Sequence, residues 1–156
     1  MLAVAFACVF LSPVSRVLFF AAAGILCAYE LSHNYEKLNV YCGAWVMFVY
    51  IGAQALLALF HAGTTAYIAC MAGSIYLALF DGIIRHKVSG DGAVYTIMGL
   101  AYPSFLFGLL MMISVSPKWL EVLTLACLST WVCDSFALFG GKRFGKHRVA
   151  PSVSPN

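Results

Sequence analysis

Long apolar runs separated by short polar stretches dominate the chain. The predicted membrane-spanning segments are residues 40–60, 63–80, 93–115 and 120–139. Each comes close to the about 20 apolar residues that a helix needs to cross the hydrocarbon core of a bilayer. Two shorter runs precede them, residues 1–11 and 17–29. The first is only about half a span, so it predicts an incomplete first helix.

The runs favour helices over a transmembrane β-barrel. A barrel strand alternates apolar and polar residues, whereas residues 53–60 are almost continuously apolar. Helices also satisfy the backbone hydrogen bonds within each segment, as lipid requires. The pattern therefore predicts an all-α membrane protein, a polytopic helix bundle of about six hydrophobic segments.

Composition supports lipid as the main solvent. Of the 156 residues, 63% are hydrophobic and only 10% are charged, and the mean hydropathy is +0.92. A soluble domain carries about 25% charged residues, so this chain lacks the polar surface to face water on all sides. The six cysteines lie in apolar runs without a C-x-x-C pair. They indicate small buried hydrophobic side chains rather than a metal or disulfide framework.

The basic residues predict the orientation, because Lys and Arg concentrate on the cytoplasmic side of membrane proteins. With the C-terminal tail inside, the cytoplasmic basic residues are Lys37, Arg85, Lys87, Lys142, Arg143, Lys146 and Arg148. Only Arg16 and Lys118 lie outside. We therefore expect residues 1–139 to form the transmembrane region and residues 140–156 to form a cytoplasmic, basic, glycine-rich loop. Glu30 and Asp81 end apolar segments on the cytoplasmic side, where we expect solvated charges or a supporting role at a site.

The polar end of the chain carries the candidate chemistry. Asp134 lies near the inner end of the last apolar run, where an ionised carboxylate costs up to about 2.5–3.5 kcal/mol. It is either part of a divalent-metal or polar-substrate site or the partner of a nearby Lys or Arg. The basic, glycine-rich stretch that follows is either a cradle for phosphates or an ordinary positive-inside flank. A P-loop is excluded, because His147 stands where Ser or Thr would hold magnesium and a membrane helix precedes the motif.

An ordered string of residues runs from Trp131 to the end of the chain. It consists of Trp131, Asp134-Ser135, Ala137, Gly141, Phe144-Gly145-Lys146-His147, Ala150-Pro151 and Ser154-Pro155. This string resembles the signature of the phosphatidate cytidylyltransferase (CDP-diacylglycerol synthase) family. Phe136 and Leu138 depart from it, since the family usually has a small residue and a tyrosine there. The chain ends inside the family motif Ser-Pro-x-Lys-Thr-x-Glu-Gly, so we expect the N-terminal part of a longer chain, inactive alone.

The resemblance implies transfer of a cytidylyl group from CTP to phosphatidate, giving CDP-diacylglycerol and pyrophosphate in phospholipid biosynthesis. It implies that Asp134 and Lys146 are catalytic and that Asp134 contacts Mg²⁺. The implied substrate-binding residues are Ser135, Lys142, Arg143, Lys146, His147, Arg148, Ser154 and Pro155. Expected partners are CTP, phosphatidate and membrane lipids, without nucleic acid, and a homodimer is open. The expected location is the bacterial inner membrane.

Two other functions stay open at this point. A CTP-dependent polyprenol or phytol kinase would also need a nucleotide site that faces the membrane. A non-catalytic polytopic protein, such as a transporter subunit, would use the basic loop only to fix its orientation. A transporter predicts interrupted helices in matching halves of the chain, and the sequence pattern shows none.

Overall fold

The computed structural model describes residues 11–84 and 91–145, without the side chain of Asp91. Its helices are α1 (Pro13–Lys37), α2 (Ala44–Leu59), α3 (Thr64–Ile84), α4 (Asp91–Gly99), α5 (Phe105–Ser114) and α6 (Trp119–Phe144). A π-helical turn, Leu100–Ser104, joins α4 to α5. Within these ranges the chain forms no strand, and the all-α prediction is confirmed. One compact unit ends at Pro117 and a second begins at Lys118.

Most of the predicted spans are present. In the described part of the chain, four helical stretches are long and apolar enough to cross a membrane: Pro13–Lys37, Thr64–Ile84, Gly92–Ser114 and Trp119–Phe144. The remaining apolar helix, α2, has 16 residues, which is about 24 Å. The predicted polytopic bundle is therefore confirmed, while the predicted segment 1–11 lies outside the described residues apart from Leu11.

Helix α1 begins earlier than its apolar run. Ser12 caps it, because the Ser12 hydroxyl accepts from the Ser15 amide at 3.1 Å and the Ser15 hydroxyl accepts from the Ser12 amide at 2.9 Å. Pro13 occupies the first turn, where the missing N–H costs no hydrogen bond. The polar stretch that separates the two N-terminal apolar runs in the sequence is thus a helix start.

Helix α2 forms the centre of the first unit. Its completely buried side chains are Val46, Met47, Tyr50, Ile51 and Ala58. It packs against α1, α3 and α5. Trp45, Val49 and Leu56 are exposed and share the opposite face of α2, so one face packs within the unit and the other does not.

The predicted span 93–115 is interrupted, although its apolar pattern predicts a continuous helix. Tyr102 has φ −150° and ψ 115°, and a cis peptide bond joins it to Pro103. Proline removes a helical N–H, and it disfavours the helical conformation in the residue before it. The Ser104 hydroxyl donates to the carbonyl of Gly99 at 2.8 Å, so one carbonyl near the break keeps a partner.

Different side-chain contacts join the helices at the two ends of the first unit. At one end the rings of Tyr35 and Tyr95 lie 4.9 Å apart, which joins the end of α1 to α4. At the other end the Nε of buried Arg16 donates to the carbonyl of Ser114 at 2.9 Å. The basic residues predict that the end of α1 and the start of α4 lie on one side of the membrane and that the start of α1 and the end of α5 lie on the other. Both contacts agree with this prediction. The assignment of the Tyr35 end to the cytoplasm stays a prediction.

Candidate active site

Helix α6 carries the predicted site residues that the structure describes. These are Asp134, Ser135, Lys142 and Arg143, and all four side chains are exposed. The other predicted site residues lie outside the described residues: Lys146, His147, Arg148, Ser154 and Pro155. The structure therefore describes the helical part of the predicted site.

Helix α6 continues past the predicted boundary at Phe139. Residues 140–144 are helical, and the amide of Gly145 closes the last turn by donating to the carbonyl of Gly141 at 2.9 Å. Gly140 and Gly141 are unfavourable in a helix by about 1 kcal/mol each. Lys142 and Arg143 compensate in part, because cations in a last turn interact favourably with the negative end of the helix dipole.

The geometry of α6 arranges the charged groups on different faces. Lys142 lies eight residues after Asp134, which is about 12 Å along the helix axis. Ser135 and Lys142 are seven residues apart and share a face, whereas Arg143 lies about 180° around the helix from Asp134. Within residues 91–145, Asp134 forms no ion pair with Lys142 or Arg143.

The four predicted site residues on α6 supply one carboxylate, one hydroxyl and two cations. The part of the chain that the structure describes holds no group of three or more His, Cys, Asp or Glu side chains that could bind a metal. A cation at Asp134 would therefore need ligands from a substrate. Mg²⁺ is often held in this way, by one or two carboxylates, substrate phosphates and water.

Sequence reasoning missed a second polar cluster, which lies in the first unit. Asp81 is only 7% exposed, so the expectation of a solvated charge there is wrong. The Tyr41 hydroxyl donates to Asp81 Oδ2 at 2.6 Å, and the indole N–H of Trp45 donates to Asp81 Oδ1 at 3.1 Å. Glu30, by contrast, is exposed as expected. Tyr41 lies before the start of α2 and Trp45 lies in its first turn, so no helical spacing in the sequence indicated their shared partner.

The backbone beside Asp81 is held by a threonine. The amide of Gly43 donates to Thr96 Oγ1 at 2.8 Å, and this hydroxyl donates to the carbonyl of Gly92 at 2.9 Å. A Cβ on Gly43 would lie 3.1 Å from Asp81 Oδ2, so only glycine leaves the carboxylate this close to the backbone. These hydrogen bonds hold the start of α2 against the end of α3 and against α4.

Comparisons with known proteins point to one family. A family model described as the cytidylyltransferase family matches residues 1–156, which is the whole chain. Neither the search of curated proteins nor the search of solved structures gave a match. The family match agrees with the resemblance that the residues from Trp131 onward carry.

Proposed function

Because the chain belongs to the cytidylyltransferase family, we propose that it transfers the cytidylyl group of CTP to phosphatidate. The products are CDP-diacylglycerol and pyrophosphate, and the reaction belongs to phospholipid biosynthesis. Family membership makes the chain a CTP-using nucleotidyltransferase of the membrane. The observation that supports the lipid substrate is a membrane-spanning helix, α6, that carries an exposed carboxylate and ends in two exposed cations.

The reaction joins two anions at the membrane surface. A phosphate oxygen of phosphatidate attacks the α-phosphorus of CTP, the bond between the α-phosphorus and the bridging oxygen of the β-phosphate breaks, and pyrophosphate leaves. Such transfers are catalysed mainly by positioning and by electrostatic stabilisation of negative charge. Since the attacking oxygen is already ionised, the reaction does not need a strong general base.

Lys142 and Arg143 are suited to bind phosphates at headgroup depth. They occupy the last turn of α6, about 12 Å beyond Asp134 along the axis. In the proposal Lys146 and Arg148 add positive charge, His147 donates a hydrogen bond, and Ser154 and Pro155 shape the nucleotide loop. Ser135 shares the face of Lys142 and hydrogen-bonds a phosphate oxygen.

Asp134 is the residue we propose to hold Mg²⁺. A single exposed carboxylate fits this ion, since Mg²⁺ keeps several waters and takes further ligands from substrate phosphates. When bound, the ion supplies positive charge that neutralises the phosphates. Asp134 itself fixes where that charge lies relative to the cations of the last turn.

Position-specific labelling of CTP tests the reaction. The chain is expressed from its reading frame up to the first stop codon, and its membranes receive phosphatidate with either α-³²P-CTP or γ-³²P-CTP. Cytidylyl transfer predicts that the α label enters the lipid and that the γ label leaves as pyrophosphate. Label from γ-³²P-CTP in a polyprenol or phytol acceptor would instead establish the kinase. No transfer of either label would contradict both enzymatic functions.

Matched variants test the residues on α6. Asp134→Asn is expected to lower the rate about 100-fold or more, because it removes the charge that faces the metal and phosphates. Glu121→Gln neutralises an exposed acid in the first turn of the same helix and is expected to leave the rate unchanged. Lys142→Ala is expected to raise the KM for an anionic substrate, while Lys37→Ala, in the last turn of α1, is its control. Equal effects in each pair would refute these roles.

A further inference from the structure

A cavity of about 420 Å³ lies in the first unit, between α2, α3 and α5. Its volume falls within the about 300–1,000 Å³ that is usual for small-molecule sites. Most of its lining is apolar, including Ile68, Met71, Phe105, Leu109 and Met112. Its lining residues include no Asp, Glu, Lys, Arg or His. All of its lining residues belong to the first unit.

Two buried polar atoms of the lining have no hydrogen-bond partner within the described residues. They are the hydroxyl of Tyr50 and the amide oxygen Oε1 of Gln54. Tyr50 is completely buried and Gln54 is 2% exposed. The two residues are four apart on α2, so their side chains lie on the same face. The two side chains are close to each other, but they form no hydrogen bond of normal geometry, so both polar atoms keep bonding capacity. Buried polar groups normally have well-formed partners, and this pair therefore indicates room for a further hydrogen-bonding group.

Gly108 on α5 leaves the space next to this pair. A Cβ at Gly108 would lie 3.3 Å from Cγ of Gln54 and 3.4 Å from the Tyr50 hydroxyl. The first distance is tighter than usual and the second is an ordinary contact, so even a methyl group on α5 would crowd the Tyr50–Gln54 pair.

The hydrogen-bonding capacity of Tyr50 and Gln54 indicates which ligand group would bind them. An amide oxygen only accepts, so its partner must donate, and a tyrosine hydroxyl both donates and accepts. A hydroxyl on the ligand satisfies both atoms at once, and it would do so even with the amide rotated. A charged headgroup is excluded by energy, because no lining residue could compensate its charge.

The position of the cavity indicates a ligand that arrives from the bilayer. Its α3 residues begin at Thr64 and its α5 residues end at Met112, so it lies toward the end of the unit where Arg16 contacts Ser114. Asp81 and its partners lie toward the opposite end. Ile68, one of the lining residues, is 65% exposed on a helix long and apolar enough to cross a membrane, so the cavity adjoins an apolar surface of the first unit.

We propose that this cavity binds a neutral lipid that combines a free hydroxyl with a hydrocarbon tail, of the diacylglycerol or long-chain alcohol class. The hydroxyl lies between Tyr50 and Gln54, and the tail contacts the apolar lining. The proposal does not depend on the cytidylyl transfer, because it uses neither α6 nor the basic loop.

Photocrosslinking in lipid nanodiscs tests the proposal on the full chain. The probe is a diacylglycerol that carries a diazirine in one acyl chain, and labelled peptides are identified by mass spectrometry. We expect labelling on α3 and α5 and competition by unlabelled diacylglycerol or by a long-chain alcohol, and the stronger competitor identifies the class. The acetate ester of diacylglycerol, which lacks the hydroxyl, and phosphatidate are expected to compete at least about fivefold more weakly. Equal competition by the acetate ester would overturn the proposal.

Matched variants locate the ligand. Ala72→Phe places a ring in the cavity and is expected to reduce labelling about tenfold, whereas Ala69→Phe, on the same helix but outside the lining, is the control. Gly108→Ala should also weaken labelling, and it tests the proposal if Ala72→Phe does not fold. Unchanged labelling in folded Ala72→Phe and Gly108→Ala would refute the site. Labelling replaced by crosslinks between two chains would show that a second copy fills the cavity instead.

Stability without added lipid gives an independent readout. Tyr50→Phe removes the unpaired hydroxyl, so its melting temperature in detergent is expected to equal or exceed that of the parent. It should also reduce the preference for the hydroxyl over the acetate ester, since only Gln54 remains to bind the hydroxyl. A lower melting temperature would mean that the hydroxyl has a partner within the protein, and the proposal would fail.

Discussion

Replacing Tyr41 by phenylalanine tests whether the buried Asp81 cluster stabilises the fold. The Tyr41 hydroxyl and Asp81 Oδ2 lie 2.6 Å apart, which is the length of a charge-assisted O–H···O⁻ hydrogen bond. Bonds to charged groups contribute about 1.5–3 kcal/mol, whereas side-chain hydrogen bonds inside membrane proteins average about 0.6 kcal/mol. The short distance and the 7% exposure of Asp81 favour the larger value. We therefore expect Tyr41→Phe to lower the free energy of unfolding by about 1.5–3 kcal/mol.

Reversible unfolding in mixed micelles of dodecylmaltoside and SDS, followed by tryptophan fluorescence and circular dichroism, measures this change. Tyr76→Phe is the matched control, because Tyr76 is 74% exposed on α3 and loses the same hydroxyl. We expect the control to change the free energy of unfolding by less than about 0.5 kcal/mol. A loss of about 0.6 kcal/mol or less in Tyr41→Phe would refute the charge-assisted bond. So would equal losses in the two variants.

Three further predictions follow from the fold. A Cβ on Gly99 would collide with Sδ of Met47, so Gly99→Ala is expected to lower the free energy of unfolding by about 1–3 kcal/mol, while Gly73→Ala, which faces open space, should not lower it. Burial raises the pKa of the Cys42 thiol to about 11, so this thiol stays protonated near pH 8. In a background without other cysteines, Cys42 should react with maleimide far more slowly than Leu38→Cys, which is an exposed position in the same connection between α1 and α2. The reaction rate of Cys42 should rise only as the pH approaches 11. Reporter fusions test the orientation: a fluorescent protein fused after α6 should fluoresce, and a periplasmic phosphatase inserted between α2 and α3 should be active.

The interrupted helix bears on the transporter alternative. In the described part of the chain, Tyr102 is the one residue with non-helical φ and ψ inside a membrane-spanning stretch. A transporter of the inverted-repeat kind would show a matching interruption elsewhere. The single break therefore adds no support to that alternative, and the family match favours the enzyme.

The sequence identified the residues of the candidate site, and the structure gave their positions. The charged and glycine-rich residues from Asp134 onward identified the family chemistry, because their types and order are properties of the sequence. The positions of Asp134, Lys142 and Arg143 relative to one another follow from the continuation of α6 to Phe144. The sequence did not predict that continuation, because Gly140 and Gly141 indicate the end of a helix. Glycine lowers helix propensity, but a helix already formed can continue through it when the last turn carries favourable charges.

The sequence by itself determined the class of this protein. Apolar runs of spanning length admit only helices in lipid, because each backbone amide needs a partner inside its own segment. The side-chain partners were decided by the tertiary structure alone. Asp81 is buried because Tyr41 and Trp45, far away in the chain, supply its hydrogen bonds. Tyr50 and Gln54 face Gly108 on another helix, which has no side chain to offer them a hydrogen bond. Burial and hydrogen bonding depend on which helices pack together, and hydrophobic periodicity does not specify that packing.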